Sequence, residues 1–288
     1  MKVGLQAFVT ESTANPANIA RKAEALGFDS IFIPEHPIIP VHHRTRYLMG
    51  DGSIPEVYAH MPDPFIALAL AAGATSRLKL ATGICLVPER DPIVMAKEIS
   101  TLDHFSGGRF MFGIGAGWLA DESEIMGVDF KQRWPMTREY IAAMKELWTK
   151  PEPSFEGKFV SFPKVKFFPK PAQKPNPPII IGAGGMGLSC ERALKDTVEM
   201  GDGWMPLGLT PAQLSVELGN LRAMCAAAKR DFSKIEITFL MLEMPSDPAR
   251  AIKEYGEAGT HRVLVSAPTL APERYERELE DLARACIR

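Results

Sequence analysis

Two hydrophobic rhythms alternate along this chain. Short, nearly unbroken apolar runs read as strands, and longer stretches with apolar residues every three to four positions read as helices. Val3–Phe8 is the first strand. Asn15 then stands as an N-cap with Pro16 in the first turn, Ile19, Ala20, Ala23 and Leu26 recur at helical spacing, and Gly27 closes the helix. Ser30–Pro34 is a second strand, Pro64–Thr75 a helix and Leu78–Val87 a third strand. Asp91–Phe105 is a helix that stops at the Gly107-Gly108 pair, and Arg109–Gly115 is a fourth strand. Pro135–Thr149 carries Ile141, Met144, Leu147 and Trp148 on one helical face. The second half continues with strands at Pro178–Ile181, Gly203–Pro206, Ile235–Leu240 and His261–Ser266. Between and after them lie helices at Leu188–Met200, Pro211–Lys229, Asp247–Ala258 and Ala271–Ile287.

Strands that are apolar on both faces are covered on both faces, as in a parallel sheet wrapped by helices. Eight such strand–helix units in 288 residues favour a closed (β/α)8 TIM barrel over an open doubly wound sheet. The expectation is one domain over residues 1–288, interrupted near 37–62, 118–134 and 151–177. The first two interruptions leave strand C-terminal ends, which form the active face of such a barrel. The third alternates enough to form a small pair of strands before a proline-rich tail.

Charge narrows the partners. A formal net charge of −2 supplies no field toward nucleic acid or acidic lipid, so a small-molecule substrate is expected. Cys85, Cys190, Cys225 and Cys286 lie far apart and form no zinc-type spacing, so free thiols and no metal site are expected. No apolar run suits a signal peptide or a membrane span, and the expected location is cytoplasmic.

Two glycine-rich turns follow strands. The first is Gly113-Ile-Gly115-Ala116-Gly117-Trp118. The second is Gly182-Ala183-Gly184-Gly185-Met186-Gly187, which opens a helix. Glycine permits close backbone approach, and amides at a helix N-terminus attract phosphate, so both turns suit a phosphorylated cofactor. The bland reading is tight turns and nothing more. The second turn also spells GxGxxG with Glu199 or Asp202 downstream, the fingerprint of a Rossmann NAD(P) enzyme. It sits after four complete units, however, and no second half is organised around it.

Taken together, several motifs resemble the luciferase-like monooxygenases and their deazaflavin-dependent relatives. They are the strand end Ile33-Pro34-Glu35-His36, the block LATGICLVPERDPIVMAKEISTLDHFSGGRFMFGIGAGW from Leu80 to Trp118, and the pair PPIIIGAGG and GDGWMP between Pro177 and Pro206. The resemblance spans nearly the whole chain. It implies a flavin-type ring in the barrel mouth, with coenzyme F420 as the first choice and FMN as the alternative. By motif match, Gly83 and Ile84 would lie behind the ring, in a bulge that carries a non-proline cis peptide in some relatives. Ala116, Gly117 and Trp118 would touch its edge, and the segment Gly182–Gly187 would hold its phosphate. The sequence departs from the sugar-phosphate dehydrogenases of this fold, which have a glutamate where Trp118 stands. A sugar phosphate is therefore not the expected substrate, and any acid must come from elsewhere. Relatives are commonly homodimers.

His36 is the expected acid–base residue, because imidazole can take a proton from a hydroxyl or return one to a carbonyl. Its plain alternative is a hydrogen bond to backbone or cofactor. Glu35 is expected to orient His36 or meet the ring. His42, His43, Arg44 and Arg46 form either a solvated loop or a lid. His60, His104 and His261 read as structural, and Glu124 with Arg133 or Arg138 reads as a loop-shaping ion pair. The implied activity is hydride transfer between F420 and a small organic substrate. The alternatives are an oxygen-using FMN monooxygenase, a flavin-binding barrel without turnover, and the NAD(P) enzyme above.

Overall fold

Five helices begin on one device, a polar N-cap followed by proline, at Asn15, Asp63, Asp91, Thr210 and Asp247. Each cap oxygen accepts from a free first-turn amide, and the proline lacks only an amide that would have had no partner. These caps place helix starts directly after strand-end loops, which gives the βα rhythm its register. A computed structural model describes residues 1–287. Its strands are β1 (Lys2–Gln6), β2 (Ser30–Ile33), β3 (Lys79–Thr82), β4 (Cys85–Leu86), β5 (Phe110–Gly115), β6 (Phe155–Glu156), β7 (Ser161–Phe162), β8 (Ile179–Ile181), β9 (Gly203–Trp204), β10 (Glu236–Leu240) and β11 (Arg262–Ser266). The helices are α1 (Pro16–Leu26), α2 (Pro64–Ala74), α3 (Pro92–Phe105), α4 (Ala120–Ile125), α5 (Arg133–Thr149), α6 (Glu191–Glu199), α7 (Pro211–Ala227), α8 (Pro248–Glu257) and α9 (Tyr275–Cys286).

The parallel sheet runs β3-β2-β1-β11-β10-β9-β8-β5-β4, and pairing of β3 with β5 closes it. The closing register places Leu80 beside Phe110 and Ala81 beside Met111. The fold is a (β/α)8 barrel, and closure rules out the open Rossmann arrangement. Period-2 alternation sorts side chains between two cores. Phe32, Ala81, Met111, Ile180, Met205 and Leu264 pack together inside the barrel. Ile31, Ile33, Leu80, Phe110 and Phe112 belong to the outer core under the helices. Trp148 lies in that layer, and its indole N–H donates to Ala96 O at 3.0 Å, tying α5 to α3.

Three local expectations change. The apolar run 78–87 is not one strand, because it breaks between β3 and β4 at a bulge whose Gly83–Ile84 peptide is cis. The segment 118–134 is not all loop, since it contains the short helix α4. The hairpin β6–β7 forms inside 151–177 as expected, but no residue of that insertion reaches the barrel mouth.

The opposite, N-terminal end of the barrel is sealed by charge. Arg262 is buried, and its guanidinium reaches Asp29 Oδ2 at 2.8 Å and the Glu236 carboxylate, which also takes Lys2 Nζ at 3.0 Å. Removing one partner of a buried ion network leaves the others uncompensated. Arg262→Ala is expected to lower unfolding free energy by about 3 kcal/mol in urea titrations, with ligand affinity at the far mouth unchanged.

Candidate active site

The C-terminal ends of the strands open into a cavity of about 1160 Å³, somewhat above the roughly 300–1,000 Å³ range of small-molecule sites. It gathers Glu35, His36, Gly83, Ile84, Ala116, Gly117, Trp118, Gly182, Ala183, Gly184, Gly185 and Met186 on its wall. Of the residues proposed from sequence, Gly187 is the one not on that wall.

The cavity floor is set by Ile84. A Cβ at Gly182 would lie 2.3 Å from Ile84 Cγ2, and one at Gly115 2.6 Å from Ile84 Cδ1. Both positions must be glycine for the strand ends to close around that side chain. In the second glycine turn Gly184, Gly185, Met186 and Gly187 all have positive φ. A Cβ on Gly185 would stand 1.8 Å from Leu207 O, so this loop too depends on the missing side chain.

His36 is buried at the end of β2. Its Nδ1 meets Glu122 Oε2 at 2.7 Å, and its Nε2 accepts from Trp118 Nε1 at 3.3 Å. An indole can only donate. Nε2 is therefore the lone-pair nitrogen, and Nδ1 carries the proton directed to Glu122. A carboxylate on one ring nitrogen fixes tautomer and orientation and leaves the other nitrogen for chemistry. Of the two roles expected of Glu35, orienting His36 falls to Glu122, while Glu35 itself lines the cavity. Glu35 accepts from Leu86 N at 2.7 Å and pairs with the Arg90 guanidinium, so it braces the bulge and α3, not the imidazole. The residue missed from sequence is Glu122. It stands four residues after Trp118, on a helix that the polar composition of this stretch conceals.

The ion pairs around the mouth also differ from expectation. Glu124 pairs with Arg44, Arg138 with Asp196, and Arg133 donates to the carbonyls of Gly117 and Phe130. Arg44 and Thr45 also grip Asp121 through both backbone amides and both side chains. Burial works to raise the Asp121 carboxyl, but those hydrogen bonds prevail and hold it well below the usual carboxylate range. The loop 41–47 is thus pinned onto α4. His42 and His43 face solvent, and Tyr47 turns to the cavity. His60 pairs with Glu11 on the surface, and His261 Nδ1 accepts from Ile237 N at 2.9 Å. His104 packs edge-on against Phe105 at the end of α3.

Cations gather on one side of the cavity. Arg133, Arg192 and Lys195 line it, and among the described residues neither Arg133 nor Arg192 has a carboxylate within 4.0 Å. Burial and then the nearby Arg192 charge lower the Arg133 guanidinium. Unpaired cations beside a glycine turn suit an anionic group.

Residues 3–284 match the family model described as luciferase-like monooxygenase. The chain belongs to that family. It is 36% identical to an uncharacterized protein of Mycobacterium tuberculosis, with 98% of each chain covered. It is 29% identical to an F420-dependent glucose-6-phosphate dehydrogenase of Kineococcus radiotolerans over 88% of this chain and 71% of that one. It is 31% identical to an FMNH(2)-dependent dimethylsulfone monooxygenase of Pseudomonas putida over 65% and 50%. Among solved structures, an F420-dependent secondary alcohol dehydrogenase in complex with an F420-acetone adduct superposes with TM-score 0.76 at 18% identity, covering 99% of this chain and 97% of that one. A coenzyme F420 dependent tetrahydromethanopterin reductase from Methanopyrus kandleri gives 0.70 at 19%, covering 99% and 98%. The luciferase-like family thus includes deazaflavin and flavin enzymes, and this chain is an enzyme of that oxidoreductase kind.

Behind His36 lies a second buried carboxyl. Glu89 Oε1 accepts from Ser123 Oγ at 2.7 Å, and Oε2 has no partner. Burial first, and then the negative Glu122, push its titration up to about 8. A carboxyl raised in the folded state favours folding while protonated. That contribution is complete below 4.5 and is lost as pH rises through about 8. Glu89→Gln should therefore flatten the fall in stability between pH 4.5 and about pH 8, measured by urea unfolding of both proteins. A parallel fall in the two would place Glu89 outside the titration.

Proposed function

We propose that this luciferase-like enzyme moves a hydride between coenzyme F420 and a small organic substrate, with His36 handling the proton. The observation that carries the reading is the pair His36 and Trp118 on the wall of a cavity that also holds the second glycine turn, Arg133 and Arg192, with Glu122 bonded to His36 from behind.

The residues present fit a (deaza)flavin with an anionic tail. The turn 182–186, Arg133 and Arg192 would hold the charged tail, and Gly83 with Ile84 would back the ring. Gln6 supports this bulge, donating from Nε2 to Gly83 O at 3.0 Å, while its buried Oε1 has no protein partner. When bound, a deazaflavin supplies a ring carbon that accepts or gives hydride. The protein supplies the proton path. His36 Nε2 accepts the proton of a substrate hydroxyl during oxidation or returns it to a carbonyl oxygen during reduction. Glu122 stabilises the imidazolium formed and keeps the ring in place. Trp118 Nε1 holds the Nε2 lone pair at 3.3 Å in the free site, a long contact that a substrate hydroxyl would replace. The F420-dependent alcohol dehydrogenase among the structural neighbours supports this chemistry by analogy of fold.

His36→Asn is expected to lower kcat by about 10²–10⁴-fold and to leave cofactor affinity within about twofold, read from steady-state kinetics beside an equilibrium titration. Unchanged kcat would remove His36 from proton transfer. Titration with F420 and FMN, followed by tryptophan fluorescence, is expected to show tighter binding of F420. Preference for reduced FMN with oxygen uptake would instead make the enzyme a monooxygenase.

A further inference from the structure

The wall around His36 has a chemistry of its own. Five aromatic rings meet in tilted and edge-to-face contacts in one connected set. Phe8 and Tyr58 have centroids 6.0 Å apart, Tyr58 and His36 5.1 Å, His36 and Trp118 5.7 Å, and Trp118 and Tyr47 5.4 Å, with Tyr47 and Tyr58 closing the ring at 5.5 Å. Leu48 and Met49 continue this surface along the cavity. The set stands at the ends of β1 and β2, on the insertion 37–62 and, through Trp118, on the loop after β5. In the order of the closed sheet β1 is four strands away from β8, so the Phe8 end of the wall lies opposite the second glycine turn, while Trp118 at its other end follows β5, the neighbour of β8.

Charge is absent from this wall by construction. Arg44 is bonded to Asp121 and Glu124, Arg46 to the Asp51 carbonyl, and Arg90 to Glu35 and Asp63. The tyrosine hydroxyls satisfy each other at 2.9 Å, and Tyr47 Oη also meets Met49 Sδ at 3.7 Å. Burial, and then the bond to Tyr47, push Tyr58 far above the ordinary phenol range, so it stays neutral. Within the aromatic set one polar atom is held only loosely, His36 Nε2, with its 3.3 Å contact to Trp118.

We infer that this wall is the substrate subsite, and that it takes an uncharged, ring-bearing apolar alcohol or the matching ketone. Aromatic edges and faces reward a ring in the ligand. A phosphate or carboxylate would lose its water against these rings and find no cation within the aromatic set, since Arg133 is turned to the Gly117 and Phe130 carbonyls. Among the five rings Nε2 provides the hydrogen-bond acceptor that is not otherwise engaged by a strong donor, which matches one hydroxyl. This rests on the proposed oxidoreductase role for the reason the pocket exists, but the recognition is a property of the wall itself.

The test uses the full chain with 1-phenylethanol, 2-propanol and glucose 6-phosphate as probes. Each is titrated with and without saturating F420, and tryptophan emission is recorded. The expected result is saturable quenching by 1-phenylethanol at concentrations at least tenfold below those for 2-propanol, and none by the sugar phosphate. Trp118→Phe should abolish most of the quenching signal. Leu48→Asp, at an exposed position on the cavity rim, should weaken 1-phenylethanol at least fivefold without threatening the fold. Equal binding of the two alcohols, saturable binding of glucose 6-phosphate, or an unaffected Leu48→Asp protein would overturn the inference. Competition between 1-phenylethanol and F420 would also overturn it, by assigning the wall to the cofactor ring. Deazaflavin absorbance reports cofactor binding separately. Quenching by 1-phenylethanol with no F420 binding would sink the proposed activity and leave this subsite standing.

Discussion

One isoleucine side chain governs the geometry of the barrel mouth. Ile84 stands where three strand ends converge, and it excludes any Cβ from Gly115 and Gly182. The close passage of Gly113 against Thr82, whose Oγ1 donates to Gly113 O at 2.6 Å, holds the bulge that presents it. Protein interiors are close-packed, so such a position tolerates little drift. The glycine turns at 113–117 and 182–187 are therefore more than flexible connectors. They are the lining that this side chain requires, and they set the cavity depth beneath any ligand.

Around that floor the molecule separates its tasks. Ion pairs that stabilise the barrel, from Arg262, Asp29, Glu236 and Lys2, sit at the N-terminal ends of the strands. At the C-terminal ends the buried charges serve orientation. Glu35 and Arg90 brace the bulge, Asp121 pins the insertion, and Glu122 aims His36. Each is embedded in hydrogen bonds, as a charge removed from water requires. Glu89 is the exception, with one oxygen unpartnered and a raised titration that keeps it protonated near neutrality. A neutral acid beside Glu122 spares the dyad a second negative charge at short range.

The two long insertions at the mouth divide the site. The segment 37–62 brings Tyr47 and Tyr58 against His36, while 118–134 contributes Trp118 and, through α4, Glu122. Their mutual clamp, Arg44 and Thr45 on Asp121, makes one wall from two insertions far apart in sequence. The third insertion, 151–177, packs low on the barrel, where Gln173 bonds Asp103 and the Phe110 carbonyl. It takes no part in the cavity, so length alone did not identify a functional loop.

What the chain encodes locally was legible. Cap–proline pairs, Gly27, and the apolar runs of β1, β2 and β5 depend on neighbours within a few residues, so the barrel and its glycine turns could be read without coordinates. The helix α4 escaped that reading because its polar composition masks it, and the bulge at Gly83–Ile84 was legible from the family resemblance alone, since the apolar run 78–87 hides the change of backbone direction. The partners of charged groups were decided by the tertiary structure alone. Glu35 lies next to His36 in sequence yet points to Arg90, while Glu122, 86 positions away, holds the imidazole. Successive residues at a strand end point to opposite sides, so adjacency cannot bring two side chains together, whereas barrel closure brings β2 and the loop after β5 to one mouth.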